Sequence, residues 1–173
     1  VASMAEAMPV ARKRGRPAGN GAHAVAEDRV LDLAFRAFAE RGYEGTTLRE
    51  LAKELGVSHN LLNVRFGTKE DLWRRAVDAR VVRIAPPVFE AFDASGLEEE
   101  ARLRELVHRF CRWAAENGEF AALSYVEGRR ATWRIDYIVD AYLRPFKEKL
   151  EALLGSVAEQ RPVHPITTSA FMA

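Results

Sequence analysis

The sequence predicts an all-α protein, and three observations carry that expectation. Apolar residues recur at the spacing of one helical face in segment after segment, as in Leu48, Leu51, Ala52 and Leu55. Helix-start and helix-stop residues bracket those segments: Thr47 with Glu50 ahead of one, Gly56 behind it, Ser58 ahead of the next. The period-two alternation of a half-buried strand is nearly absent, and no internal repeat is visible.

The elements follow in order. Residues 1–25 are rich in Ala, Gly, Pro and basic residues, show no period, and are expected to form a disordered arm. A first helix is expected from about Glu27 to Arg41, burying Val30, Leu31, Ala34, Phe35 and Phe38 and ending at Gly42. Helices over about Leu48–Leu55 and His59–Phe66 come next. Gly56 ends the former because glycine accepts the left-handed conformation a helix stop requires, and Val57 is expected to fill the corner between them. Thr68 with Asp71 caps a fourth helix through Leu72, Trp73, Ala76, Val77 and Val81, which Pro86-Pro87 must end or kink.

After a loop at Asp93–Gly96, Glu98, Glu99 and Glu100 place negative charge in the first turn of another helix, where the dipole favours it. Its face is Leu103, Leu106, Val107, Phe110, Trp113 and Ala114, closed by Asn117-Gly118. A shorter helix covers about Phe120–Arg130. A long one covers about Arg134–Leu154, with Ile135, Ile138, Val139, Tyr142, Leu143, Phe146 and Leu150 inward and a kink or boundary expected at Pro145. The last eight residues read as the opening of a further helix.

Composition narrows the function classes. The 173 residues carry a formal net charge of only +1, yet Arg12, Lys13, Arg14 and Arg16 face a lone Glu6 within the first 25, so the basic character is concentrated in the arm. Cys111 is the sole cysteine, which excludes an internal disulfide and makes a reducing, cytoplasmic setting the expectation. No apolar run approaches the ~18 residues a membrane span needs, and the N-terminus has no apolar signal core. The four histidines form no His-x-x-x-His pair and lack the two Glu-x-x-His pairs of a di-iron bundle, and no phosphate loop or nucleophile motif is present. Neither an enzyme, a metal site nor a cofactor is expected.

Residues 47–66 read as two short helices across a tight turn, the form of a helix-turn-helix that docks in DNA. Together with the AFAERGYEGTTLRELAKELGVS run before the second short helix and GTKEDLW after it, the stretch from Asp28 to Trp73 resembles the N-terminal domain of the tetracycline-repressor (TetR) family. Phe38, Gly42, Thr46, Thr47, Leu51, Ala52, Gly56, Val57, Ser58, Phe66, Lys69 and Leu72 carry the resemblance. It implies a three-helix DNA-binding domain over 26–73 and a helical ligand-binding and dimerisation bundle over 74–173. It also implies a homodimer on a double-stranded operator. Members continue with two more helices that build the dimer interface, so the chain is expected either to be clipped or to dimerise differently. Two positions depart from the pattern: Asn63 stands where members usually have Tyr, and His59-Asn60 where Lys-Gly is common.

On the recognition helix His59, Asn60, Asn63 and Val64 are the side chains least needed for packing. Asn can pair bidentately with adenine, and His can donate to guanine. Leu61 suits either the core or a thymine methyl. Ser58 caps the same helix at the interface. Tyr43, Thr46, Thr47, Arg65 and Lys69 suit phosphate, which hydroxyls, helix N-termini and cationic tips hold without reading sequence. Taken singly, each also fits an ordinary solvated polar face. Arg14-Gly15-Arg16-Pro17 resembles the core of an AT-hook, whose arginines enter a narrow A·T minor groove; a generic basic tail is the alternative.

For the remainder of the chain the resemblance implies an effector that shifts the spacing of two recognition helices. Phe89, Phe110, Trp113, Tyr125, Trp133, Tyr137 and Tyr142 are the candidates for lining a site for a small apolar or aromatic molecule. Aromatics at helical spacing also serve as plain core. A ligand-independent repressor or an architectural DNA-binding protein is therefore the alternative.

Overall fold

The computed structural model describes residues 21–94 and 96–160, with side chains from residue 27 to 159. Arg12, Lys13, Arg14, Arg16 and the helix expected in the last eight residues lie outside the described residues. Those described are helical and contain no strand. Helices α1 (Gly21–Arg41), α2 (Leu48–Leu55), α3 (His59–Phe66), α4 (Lys69–Ile84), α5 (Pro86–Phe89), α6 (Glu99–Glu116), α7 (Gly118–Gly128), α8 (Trp133–Ile138) and α9 (Arg144–Gln160) follow in order, with a π-helical turn at Val139–Leu143 between the last two.

The described residues divide into two compact units, one comprising 21–85 with Asn117–Ala131 and the other Pro86–Glu116 with 132–160. This division differs from a boundary after residue 73. Helix α4 runs unbroken from Lys69 to Ile84, and its buried face of Leu72, Trp73, Ala76, Val77 and Val81 belongs wholly to the first unit.

In that unit α1 packs against α4 and α7. Val30, Leu31, Ala34, Phe35, Ala37 and Phe38 supply the α1 face, and Phe120 with Leu123 the α7 face. Each large side chain so buried is worth about 1.5–3 kcal/mol. Charged pairs rim the seam: Arg83 reaches Asp32 at 2.9 Å and Arg80 reaches Glu119 at 3.5 Å. Exposed pairs of this kind add at most about 1 kcal/mol each. Leu51 and Ala52 of α2 and Leu62 and Phe66 of α3 are buried, whereas Leu48 and Leu55 at the stripe's ends are only half-buried. Val57 lies exposed at the turn and does not fill the corner.

The other unit gathers aromatic rings. Phe89 and Phe92 meet Phe146 of α9 at 6.0 and 5.5 Å between centroids, and Phe110 of α6 stacks on Phe146 at 5.8 Å. Pro86 opens α5 as a separate single turn, since a proline at a first helical position lacks only an N–H that would be orphaned anyway. The irregularity expected at Pro145 falls one turn earlier. Arg144 N–H bonds back to the carbonyl of Val139, an i→i−5 step, and Pro145 then sits in the first turn of α9, where no N–H is required. Much of the apolar face expected on α6 is not covered within the unit: Leu106 is buried, but Val107 and Phe110 are exposed, as are Val139 and Leu143 of the π turn.

Candidate nucleic-acid interface

Local chemistry fixes the α2–turn–α3 segment at each end. Thr47 Oγ1 accepts from Glu50 N–H at 3.2 Å, and Glu50 Oε2 accepts from Thr47 N–H at 3.2 Å and from the Thr47 hydroxyl at 2.8 Å. This is the reciprocal capping box. Gly56 takes φ +69°, its N–H donates to the Lys53 carbonyl at 3.1 Å, and Val57 N–H donates to the Ala52 carbonyl at 2.9 Å. That pair of bonds is a Schellman stop. Ser58 Oγ accepts from Leu61 N–H at 3.1 Å and so starts α3. A second box, Thr68 with Asp71, starts α4 immediately after.

The caps have an electrostatic signature. The Thr47 hydroxyl, and then its backbone amide, hold the Glu50 carboxyl below its ordinary 4.5; Thr68 does the same to Asp71, below its ordinary 3.8. A carboxyl that titrates lower folded than unfolded contributes stability above its unfolded pKa and loses it as pH falls through the folded one. Melting temperature should therefore drop on acidification below about pH 5, and Glu50→Gln and Asp71→Asn should each flatten that drop. Parallel melting profiles for wild type and both variants would show that the caps do not contribute.

Between its caps α3 turns Leu62 and Phe66 inward and leaves His59 and Asn60 exposed. Asn63, half-buried, places Nδ2 3.3 Å from His59 Nδ1. The contact holds the two polar side chains together on α3. Arg65 Nη2 lies 3.6 Å from Glu27, which also pairs with Arg75 of α4 at 2.5 Å. Arg75 in turn donates to the Arg65 carbonyl at 3.1 Å, and both guanidinium groups lie over the Phe66 ring. The C-terminal end of α3 is thus tied to α1 and α4 at once. Lys69 Nζ stands 4.2 Å above the Tyr43 ring, which stacks on Phe38, so these two expected phosphate contacts form one assembly.

Thr46 is a correction. Expected at the phosphate backbone, it is 0% exposed, and its hydroxyl donates inward to the carbonyls of Gly42 at 2.9 Å and Ala37 at 3.1 Å. Thr47 stays exposed, with its hydroxyl engaged in the cap. The residue whose place the spacing left open is Leu61: it points outward, 51% exposed, beside Val64 at 78%.

Among the candidate ligand residues, Phe110 stacks on both Trp113 and Phe146, Phe89 meets Phe146, and Tyr137 and Tyr142 form an edge-to-face pair at 6.1 Å. Trp133 faces the Arg134 guanidinium at 5.6 Å. Tyr125 stands on α7 in the other unit, 69% exposed, beside Arg129. Centroids 5.5–6.0 Å apart are rings in contact, so the Phe89–Phe92–Phe146 group is packed core. An open groove of about 620 Å³ runs elsewhere, along α1, lined by charged residues such as Asp28, Arg36, Glu40 and Glu54. No group of three or more His, Cys, Asp or Glu suited to a metal occurs among the described residues, and no described helix is long and apolar enough to cross a membrane.

Residues 30–76, which hold this capped helix pair and most of the α1 and α4 faces that seat it, match the family model for bacterial regulatory proteins of the tetR family. Over that stretch the chain is similar to the TetR family. Over 72 residues it is 39% identical to the uncharacterized HTH-type transcriptional regulator YezE of Bacillus subtilis, covering 42% of this chain and 37% of that protein. Over 52 residues it is 33% identical to the biofilm operon icaADBC negative transcriptional regulator IcaR of Staphylococcus epidermidis, covering 30% and 28%. The chain thus matches less than half the length of these curated relatives. Likeness extends further in structure: the crystal structure of HlyIIR, a hemolysin II transcriptional regulator, aligns with a TM-score of 0.65 at 27% identity over 84% of this chain and 79% of that one. Asn63 and His59, where the sequence departs from the family pattern, are neighbours on α3, with Asn63 Nδ2 3.3 Å from His59 Nδ1.

Proposed function

We propose that this chain is a TetR-family, sequence-specific DNA-binding transcriptional regulator that acts as a homodimer, with α3 in the major groove of each operator half-site. The observation that carries this reading is the outward face of α3, where His59, Asn60 and Asn63 are presented by a helix capped at both ends and anchored by Leu62 and Phe66. Tyr43, Thr47, Ser58, Arg65 and Lys69 position the domain on phosphate, and the arm residues Arg12, Lys13, Arg14 and Arg16 add minor-groove or phosphate contacts. Half-sites about 34–36 Å apart suit two such helices one DNA turn from each other. Repression is favoured over activation by the likeness to IcaR, a negative regulator. Val139 and Leu143, apolar and exposed, support a homodimer face in the other unit.

A small apolar or aromatic effector is proposed for the region of Phe110, Trp113, Tyr137 and Tyr142. The contact packing of the phenylalanine group favours a second reading, a ligand-independent repressor. Selection of bound sequences from random DNA at two salt concentrations tests the proposal. A palindromic consensus with a modest salt slope is expected, and a steep slope without consensus would leave only nonspecific binding. The selected operator then serves two further arms. Arg14→Ala with Arg16→Ala should cost more on A·T-flanked than on G·C-flanked sites, and operator release by aromatic compounds separates the effector reading from the ligand-independent one.

A further inference from the structure

Helix α3 is apolar on two opposite sides. Leu62 and Phe66 face the core, 2% and 3% exposed, while Leu61 and Val64 face out, and Val64 is the most exposed large hydrophobic side chain among those described. Nothing in the fold requires this pair. Both ends of the helix are stopped by caps, the inward face is complete without them, and residues at i and i+3 share one surface. An apolar pair in the middle of a polar reading face is suited to an apolar group on the surface it meets. The edges of DNA in the major groove offer one such group, the C5-methyl of thymine; every other distinguishing feature there is a hydrogen-bond donor or acceptor.

We infer that Leu61 and Val64 are specificity-determining residues that read thymine methyls in the operator half-site. The inference rests on the reading of α3 as the DNA-recognition helix, with which the pair is continuous: His59, Asn60 and Asn63 lie on the same two turns. Leu61 and Val64 are separated by about 4.5 Å along the helix axis, and base pairs by about 3.4 Å along DNA. The two side chains therefore address thymines in adjacent or next-adjacent pairs. The composition agrees with the polar readers, because an Asn bound to adenine places a thymine in the same base pair. A half-site holding A·T pairs under the centre of α3 follows.

The test replaces single thymines of the selected operator by uracil, which removes the methyl and keeps the base pair, and measures binding by fluorescence anisotropy with the full chain. Wild type should lose about fourfold per critical methyl, the change expected for exposing one methylene-sized group. Leu61→Ala and Val64→Ala should each become indifferent to uracil at one position, with melting temperatures unchanged because both side chains are exposed. 5-Methylcytosine, which returns a methyl to the groove on a C·G pair, should recover part of the loss against unmethylated cytosine. Equal binding of thymine and uracil operators by wild type would overturn the inference and leave DNA reading intact. So would a selected half-site without thymine, or alanine variants that lose affinity equally on both operators, the outcome expected if the pair instead docks another protein. Absence of any sequence-selective binding would overturn the reading of α3 itself, and this inference with it.

Discussion

Trp73→Ala is expected to lower unfolding free energy by about 3–5 kcal/mol, the range for deleting a large aromatic from a core. Trp73 is 0% exposed, on the face of α4 shared with Leu72, Ala76 and Val77, and this face closes the seam with α1. Small domains hold about 5–15 kcal/mol in all, so the variant should sit near the edge of folding and melt many degrees lower. Urea denaturation followed by circular dichroism checks it, with an unchanged slope and a lowered midpoint as the expected signature. Operator binding should fall only in proportion to the folded fraction. A cost below about 1 kcal/mol would mean that the α1–α4 seam relaxes around the lost ring and is not the main support of the recognition helix.

The second large effect is on binding without stability. Asn63→Ala should weaken operator affinity about 10–100-fold and relax preference at one base pair, since a good bidentate contact is worth about 1–3 kcal/mol. His59→Ala should cost less, because one ring donor replaces two. The pair should not be additive. Asn63 Nδ2 lies 3.3 Å from His59 Nδ1, so each single variant also disturbs the other residue. A double-mutant cycle on operator binding should show coupling of at least about 0.5 kcal/mol, while both single variants melt like wild type. Strict additivity with full affinity loss would separate the two readers. Affinity loss accompanied by a lowered melting temperature would reassign them to packing.

What the sequence revealed of this domain is what local chemistry writes. The capping box at Thr47, the left-handed Gly56 and the Ser58 cap each depend on residues within four positions, and the bounds of α2 and α3 follow from them to the residue. Which way a side chain faces depends on partners far along the chain. Thr46 looked like a phosphate ligand because hydroxyls at a helix start often are; the carbonyls that claim it belong to Ala37 and Gly42 in and after the preceding helix. Leu61 was ambiguous for the same reason, since an apolar residue next to Leu62 on a short helix reads equally as inward or outward. The grouping of aromatics was the least legible. Phe92 and Phe146 join Phe89 and Phe110, and helical periodicity within one segment cannot say which stripes from distant segments meet.

The π turn at Val139–Leu143 has a consequence for how this chain tolerates change in length. A residue added within a helix advances everything downstream by about 100°, and a π turn is such an addition held in place. Ile138 ahead of that step and Tyr142 within it are buried, and Phe146 and Leu153 beyond it still reach their neighbours. Residue count across the segment therefore sets the rotational phase of α9. Removing one residue there, with every remaining side chain kept, would swing Phe146 about a quarter turn away from the rings it packs against. At this point the fold constrains the number of residues more tightly than their kind.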